Sequence, residues 1–273
     1  MKLSVLKNAN FGTITYYVGD NIEHVSHLKD CILICKEDFN PKLENVKFIH
    51  TEDPQLYFYK LSRKVDNNYT FNQMYEIGKN TEIHSSCIIG DGVVIGDNVS
   101  IGPNTVIYSK TIIQDNVRID ANCTIGTEGM MWVWENNEKV FLKQLGGVII
   151  EENCIIGSNS VIVRGSANEN TILNNDVNMA PGCLIGHGCQ IGKYSHFANG
   201  VKLGGSSSIG DYNFLGSGSI ISAGVKICVE DAIIGAGSTV LNDIKESGVY
   251  VGTPAKKIKE SVNKLSGIPK WRK

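Results

Sequence analysis

The feature that most constrains the fold is a six-residue repeat. Isoleucine stands at every sixth position from Ile77 to Ile125, and the pattern resumes at Ile150 and continues to Ile227 and, after a one-residue slip, to Val240. Glycine often follows the aliphatic residue, and Val, Thr, Ser or Cys stands four positions after it. A period of six fits neither an amphipathic helix nor an alternating strand. A fixed internal repeat of this kind indicates a stacked repeat architecture.

The repeat predicts a mainly β fold, a left-handed parallel β-helix. Each hexapeptide would form one short strand and one corner, so that three hexapeptides close a coil of about 18 residues. The aliphatic residue and the small residue four positions later would both point inward. Glycine and asparagine at the corners permit left-handed backbone conformations. Successive coils would pair as parallel strands about 4.8 Å apart, and we expect roughly eight or nine coils.

Three segments lie outside the regular repeat. Residues 1–75 predict a small α/β domain with possible nucleotide binding, with strands at 31–35 and 47–50 and a helix at 53–65 that begins near Asp53 and Pro54. The β-helix is expected over 76–254, with a short break at 167–171. Residues 127–147 contain two tryptophans and are expected to project as a loop or hairpin that carries function. Residues 255–273 are expected to form a short C-terminal helical tail.

Composition excludes several classes of protein. The net charge of −2 provides no basic field for nucleic acid. No apolar run reaches the roughly 18 residues of a membrane span, and the first residues lack a long apolar signal core, so we expect a cytoplasmic protein. The eight cysteines include no Cys-x-x-Cys pair, and five of them occupy the small inward slot of the repeat, which favours packing. His187 and His196 have no matching third ligand, so no metal is expected.

Two stretches of the repeat carry candidate catalytic groups. His187 stands at a corner in CLIGHGCQIG, where its side chain points outward. Its ordinary pKa near 6.5 suits a base that deprotonates an amine or hydroxyl, and the alternative is a surface turn histidine. Residues 204–206 read Gly-Gly-Ser, where a backbone N–H could face a developing oxyanion. The alternative there is an ordinary corner glycine.

Small residues near the end of the repeat are candidates for cofactor binding. The stretches IGAGST at 234–239 and GTPAKK at 252–257 would leave a slot for a long thin cofactor arm, with lysines that neutralise phosphates. The alternative is a solvated basic tail. The expected coenzyme A-binding residues are Ser222, Ala223, Ala236, Lys256 and Lys257.

Several motifs carry a family resemblance: CILICKEDF, IGTEGMMW, LGGVIIEENCIIGSNSVIVRG, HGCQIG, GGSSSIGDY and GVYVGTPAKK. In these the chain resembles the UDP-3-O-acylglucosamine N-acyltransferases of lipid A synthesis and related β-helical N-acetyltransferases of nucleotide-linked amino sugars. The resemblance implies that His187 is the catalytic base and that Gly205 supplies an oxyanion-binding amide. It implies homotrimers with active sites between neighbouring subunits. The residues expected to bind substrate are Glu128, Trp132 and Arg164; the family's Asp-Arg-Gly reads Val-Arg-Gly here.

Departures from the lipid A enzymes shape the expected reaction. A second family histidine is replaced by Gly224, the aromatic uridine clamp has no clear match, and only 19 residues follow Pro254 where the family has a long helical extension. We therefore expect a short acyl-CoA, in particular acetyl-CoA, as donor and a nucleotide-linked amino sugar as acceptor, in cell-surface glycan or O-antigen biosynthesis. The alternatives are a lipid A N-acyltransferase that uses acyl carrier protein and a non-catalytic β-solenoid scaffold. His187 and the lysine pair count against the scaffold.

Overall fold

The computed structural model of the chain describes residues 2–65 and 70–260, and it separates into two compact units. Of the described residues, the first unit contains 2–65, 128–146 and 165–169, and the second contains all the others. The insertion expected to project from the β-helix therefore packs as part of the N-terminal unit.

The first unit begins with a four-stranded parallel sheet. Its strands are β1 (Lys2–Leu3), β2 (Thr13–Tyr16), β3 (Ile32–Cys35) and β4 (Lys47–His50), in that order across the sheet, with 3-10 helices at Leu6–Asn8 and Ile22–Val25 and one α-helix, α1 (Pro54–Arg63). The predicted strands at 31–35 and 47–50 are confirmed. The predicted helix is also confirmed: Asp53 Oδ1 accepts from the Leu56 N–H at 2.9 Å, and Pro54 occupies the first turn.

Short strands make up most of the remaining chain. In chain order they are β5 (Glu76–Ile77), β6 (Glu82–Ile83), β7 (Ile88–Ile89), β8 (Val94–Ile95), β9 (Ser100–Ile101), β10 (Val106–Ile107), β11 (Thr111–Ile113), β12 (Arg118–Ile119), β13 (Thr124–Thr127), β14 (Trp132–Glu135), β15 (Glu138–Phe141), β16 (Gly147–Ile150), β17 (Ile155–Ile156), β18 (Val161–Val163), β19 (Asn170–Leu173), β20 (Asn178–Met179), β21 (Leu184–Ile185), β22 (Gln190–Ile191), β23 (His196–Phe197), β24 (Lys202–Leu203), β25 (Ser208–Ile209), β26 (Phe214–Leu215), β27 (Ile220–Ile221), β28 (Lys226–Ile227), β29 (Ile233–Ile234), β30 (Thr239–Val240), β31 (Val249–Val251) and β32 (Lys256–Lys259).

Apart from β14 and β15, these strands form the left-handed β-helix that the repeat predicts. The first face contains β7, β10, β13, β18, β21, β24, β27 and β30; the second contains β5, β8, β11, β16, β19, β22, β25 and β28; the third contains β6, β9, β12, β17, β20, β23, β26, β29 and β31, with β32 at its edge. From β5 to β30, apart from β14 and β15, consecutive strands occupy consecutive faces, so three hexapeptides complete one coil. Eight strands on each of the first two faces agree with the expected number of coils.

The interior of the β-helix is filled by the aliphatic residue of each repeat. Ile107, Ile119 and Ile125 are buried. The small inward slot takes cysteine in several coils, and desolvation raises the pKa of Cys154 to about 12 and that of Cys183 to about 11. These thiols therefore stay protonated and act as small packing residues, as predicted.

The corners explain why asparagine recurs in the sequence. Between the second and third faces, Asn98 and Asn116 have φ of +56° and +59°, a region that asparagine tolerates better than most side chains. Their amides also form a ladder, in which Asn98 Nδ2 donates to Asn116 Oδ1 at 3.3 Å. Farther along the same edge Tyr194 and Tyr212 take this position and stack at 4.9 Å between ring centroids. Side-chain ladders along the edges thus add to the packing of the core.

The insertion forms an antiparallel hairpin, β14–β15, within the first unit. Asn136 and Asn137 both have positive φ, which suits a two-residue turn between twisted strands. One face of the hairpin packs into an apolar cluster with α1 through Val133 and Val140. Lys60 of α1 forms an ion pair with Glu135 at 2.5 Å. The prediction of a loop or hairpin is confirmed.

The C-terminal helix predicted over 255–273 is not confirmed. Residues 256–259 form β32, which pairs antiparallel with β31, because backbone groups at the end of the third face are available for pairing. Residues 261–273 lie outside the described residues. Among the described residues, no helix is long and apolar enough to cross a membrane.

Candidate functional site

One edge of the β-helix brings several predicted site residues together. This edge, between the first and second faces, is called the His187 edge; its corners in three consecutive coils are residues 186–189, 204–207 and 222–225. His187 therefore lies one coil from Gly205, and Ser222 and Ala223 follow in the next coil. Of the ten predicted site residues, these four are brought together.

The imidazole of His187 lies directly against Gly205. A Cβ added to Gly205 would lie 2.6 Å from Cδ2 and 2.7 Å from Cε1 of the ring, and closer still to Nε2. No real Cβ tolerates such distances, so the ring occupies the space that any other residue would need. His187 is half-buried, and its carbonyl accepts from the Ser206 N–H at 2.6 Å. The ring thus rests on the backbone of the next coil.

The backbone amide of Gly205 is open toward the His187 edge. At the neighbouring edge the equivalent amide of Lys193 donates to Asp211 Oδ1, one coil later, at 2.8 Å. The residue one coil after Gly205 is Ala223, which has no side-chain acceptor. Within residues 2–65 and 70–260, the Gly205 N–H donates to no acceptor. A donor beside an imidazole, with no partner of its own, fits an oxyanion site.

A groove of about 430 Å³ lies on the first face and reaches the His187 edge at Gly186. Its walls are largely the outward side chains of consecutive strands, including Val161, Leu184 and Ile220, with Lys202 between the last two. Leu184 and Ile220 are 41% and 38% exposed. An apolar groove next to a half-buried imidazole is suited to a hydrocarbon group.

Two family models match the repeats of this β-helix. Segments 75–109 and 93–127 match the bacterial transferase hexapeptide (six repeats), and segments 147–166 and 207–242 match the hexapeptide repeat of succinyl-transferase. UDP-3-O-acylglucosamine N-acyltransferase from Delftia acidovorans is 31% identical over 132 residues, 48% of this chain and 39% of its own. That from Hahella chejuensis is 32% identical over 133 residues, 48% of this chain and 37% of its own. These matches support the hexapeptide-repeat acyltransferase family for this chain. The chain spans less than half the length of these relatives.

Solved structures show the same fold. UDP-N-acetylglucosamine acyltransferase from Campylobacter jejuni superposes with a TM-score of 0.60 at 24% identity, over 68% of this chain and 71% of its own. The enzyme of the same name from Francisella novicida gives 0.58 at 24% identity, over 74% of this chain and 75% of its own. At this identity the likeness establishes the hexapeptide-repeat β-helix.

The predicted coenzyme A-binding residues do not all share the His187 edge. Ala236 lies at a corner between the third and first faces, and Lys256 and Lys257 lie in β32 on the third face. Lys257 Nζ contacts Glu260 Oε1 at 3.0 Å and Glu246 Oε2 at 3.4 Å. The hydrogen bond to Glu260 is the main reason that the pKa of Lys257 is raised. The Lys257 ammonium group therefore forms ion pairs with two carboxylates, whereas the Lys256 side chain is exposed.

Arg164, predicted to bind substrate, stands at the corner of the His187 edge that is in register with His187. It has no exposed surface, and its Nε and Nη2 donate to the carbonyls of Gly126 and Ser109, each at 2.7 Å. Both carbonyls lie at corners of the His187 edge in preceding coils. In this structure the guanidinium holds backbone in place, and contact with substrate stays a prediction.

Glu128 and Trp132 belong to the first unit. Glu128 is exposed just before the hairpin, and Trp132 is 39% exposed on the face of the hairpin that also carries Trp134. Lys139 Nζ lies 4.5 Å from the centroid of the Trp132 ring and 5.5 Å from that of Trp134. Lys139 thus lies over both indole rings, and the substrate role of Glu128 and Trp132 stays a prediction.

The other β-helix histidine near the site has a packing role. The His196 ring stacks on Phe214 at 5.5 Å with 2° between planes, and burial lowers the pKa of His196. In the part of the chain that the structure describes, no three His, Cys, Asp or Glu residues cluster in a geometry for a metal ion.

Sequence reasoning missed the groove and a buried threonine, Thr171, beside the His187 edge. The groove could have been predicted from the sequence. Val161, Leu184 and Ile220 each stand one position before an inward aliphatic residue, and a strand whose outer face is solvated would carry a polar residue at that position. Thr171 had no such signal, because it is the last residue of the break at 167–171 and its hydrogen-bond partners, Val163 and Gly188, are set by how the coils stack.

Proposed function

We propose that this protein transfers an acyl group from a thioester to the amine of a nucleotide-linked amino sugar. The observation that carries the proposal is the contact between the His187 imidazole and Gly205, whose amide is open. A base and an oxyanion donor are thereby adjacent on one edge. The names of the sequence relatives support this reaction class.

The proposed chemistry is direct transfer. The amine nitrogen attacks the thioester carbonyl, and His187 accepts the proton that the amine loses. The Gly205 N–H stabilises the oxyanion of the tetrahedral intermediate. The carbon–sulfur bond then breaks, the amide forms and the thiolate leaves. No acyl-enzyme is required, because both substrates react while held together.

The acyl donor has two candidates. A short acyl-CoA, such as acetyl-CoA, is the first, and it rests on the GTPAKK stretch. A longer acyl chain on acyl carrier protein is the second, and the apolar groove beside Gly186 favours it because acetyl would leave that groove unfilled. The pairing of Lys257 with Glu246 and Glu260 also leaves less charge for coenzyme A phosphates.

The test is a screen of nucleotide amino sugars against acetyl-CoA and hydroxyacyl carrier proteins, with release of free thiol as the readout. Thiol release that requires both the sugar amine and the thioester supports the proposal. Binding of nucleotide sugar with no release from any donor would support the non-catalytic scaffold instead.

The first unit, taken by itself, is proposed to bind a nucleotide. A cavity of about 610 Å³ lies at the carboxyl ends of β2 and β3, a usual place for ligands in parallel sheets. Asp20 and Asp38 line it and could accept from ribose hydroxyls, and Lys36 lines it as a partner for phosphate.

If acetyl-CoA is the donor, we expect the double substitution Lys256→Ala and Lys257→Ala to raise its apparent KM about fivefold, the usual worth of exposed charge pairs. Sugar KM should change little, and the effect should shrink in high salt. Initial rates at two salt concentrations measure this, with Lys226→Ala, an exposed lysine on the second face, as control. An unchanged acetyl-CoA KM would remove the lysines from this role.

We further propose a homotrimer. Outward isoleucines on all three faces support association, since Ile88, Ile112 and Ile155 are 51%, 41% and 41% exposed. Sedimentation equilibrium is expected to give about three times the chain mass of 29.8 kDa. A stable monomer with full activity would contradict this.

A further inference from the structure

The peptide unit that follows His187 is held from both neighbouring coils. Its carbonyl oxygen, on His187, accepts from the Ser206 N–H at 2.6 Å in the next coil. Its N–H, on Gly188, donates to Thr171 Oγ1 at 2.9 Å in the preceding coil. Both polar groups of this peptide unit are therefore hydrogen-bonded, which fixes the backbone orientation from which the His187 side chain extends toward Gly205.

Thr171 is itself fixed. It has no exposed surface, and its hydroxyl donates to the Val163 carbonyl at 2.6 Å. Because that proton is already donated, the hydroxyl oxygen presents a lone pair to Gly188. Thr171 cannot touch substrate, so any effect of Thr171 on catalysis is indirect, and its bond to the Gly188 N–H links it to the corner of His187.

The bond from Thr171 differs from its counterparts elsewhere in the β-helix. Thr81, Thr105 and Ser195 each accept from the amide 18 residues later, the last residue of a corner. Thr171 accepts from the amide 17 residues later. The shift of one residue moves the bond onto the peptide unit next to His187. The hydroxyls of Thr81, Thr105 and Ser195 connect neighbouring coils. The hydroxyl of Thr171 does the same and also holds the backbone next to His187.

We propose that Thr171 is a positioning residue for His187, an inference that rests on the proposed function. The hydroxyl holds the His187–Gly188 peptide unit, and the ring then lies against Gly205, where its nitrogen can meet the attacking amine. Loss of the hydroxyl releases the N–H end of this unit and lets the imidazole drift, and small misplacement of a reacting group costs rate heavily.

The experiment compares Thr171→Val with Thr105→Val. Both threonines are fully buried, donate to a carbonyl and accept from an amide in the next coil. We expect Thr171→Val to lower kcat about tenfold, with KM for both substrates within about twofold. Hydrogen exchange at Gly188 should become faster. Thr105→Val should lower Tm comparably, speed exchange at Cys123 and leave kcat unchanged, and Thr171→Ser should restore kcat.

Each outcome decides a separate point. Equal kcat in Thr171→Val and Thr105→Val overturns the inference, provided that His187→Ala itself lowers kcat about 100-fold or more. Normal activity in His187→Ala removes His187 from the proposed mechanism instead, and no thiol release by the unmodified protein from any donor overturns the proposed function. In a His187→Ala background Thr171→Val should have no further effect on kcat, and a further tenfold loss there would show that Thr171 acts by another route.

Discussion

His187→Ala is expected to lower kcat by about 100-fold or more, the usual contribution of a general base. The side chain is half-buried at a corner and fills no part of the aliphatic core, so Tm should change little. Steady-state kinetics with the best donor and sugar from the screen would measure the loss, and thermal unfolding would measure the fold.

A matched control is available in the same β-helix. His84 is an exposed corner histidine whose Nδ1 lies 2.9 Å from Ser86 Oγ, at a different edge. His84→Ala should keep full activity. Near-wild-type turnover of His187→Ala, with chemistry shown to limit the rate, would transfer the proton-accepting role to another group, such as water or the leaving thiolate.

The β-helix could be predicted from sequence because its information is local and repeated. Each Ile or Leu at period six specifies the same inward direction, and each Asn or Gly marks a corner, as Asn98 and Asn116 illustrate. His187 and Gly205 were found together for the same reason, since 18 residues separate them and one coil contains about 18 residues.

The positions of the other predicted site residues, and the structure that follows Pro254, could not be predicted from the repeat. Ala236, Lys256 and Lys257 were predicted to bind coenzyme A together with Ser222 and Ala223. The face that each residue occupies depends on its position within the coil, and that position shifts after the one-residue slip near residue 230. Arg164 was predicted to bind substrate, and the sequence did not show that its buried side chain donates to two backbone carbonyls at corners of preceding coils. The basic stretch after Pro254 pairs with β31 as a strand because a sheet edge is available there.

The second large effect is expected from Gly205→Ala, which retains the backbone N–H and adds only a methyl group. That methyl would enter the space of the His187 ring, and the ring is the movable partner. The imidazole should therefore turn away while the coil stays in place, with kcat lowered about 100-fold and a small change in Tm. Gly192→Ala is the control, because its Cβ would meet rigid backbone, with the Asp211 nitrogen at 2.5 Å. There we expect a lower Tm with kcat near the wild-type value.

A double-mutant cycle distinguishes displacement of the base from damage to the oxyanion site. If the methyl of Gly205→Ala acts by displacing the imidazole, it has nothing to displace in His187→Ala, and the double variant should match His187→Ala within about twofold. If the methyl instead disturbs the amide or blocks substrate, the two losses should multiply to about 10⁴-fold. Multiplied losses would leave Gly205 as part of the site, but would contradict the conclusion that its missing side chain serves to seat the His187 ring.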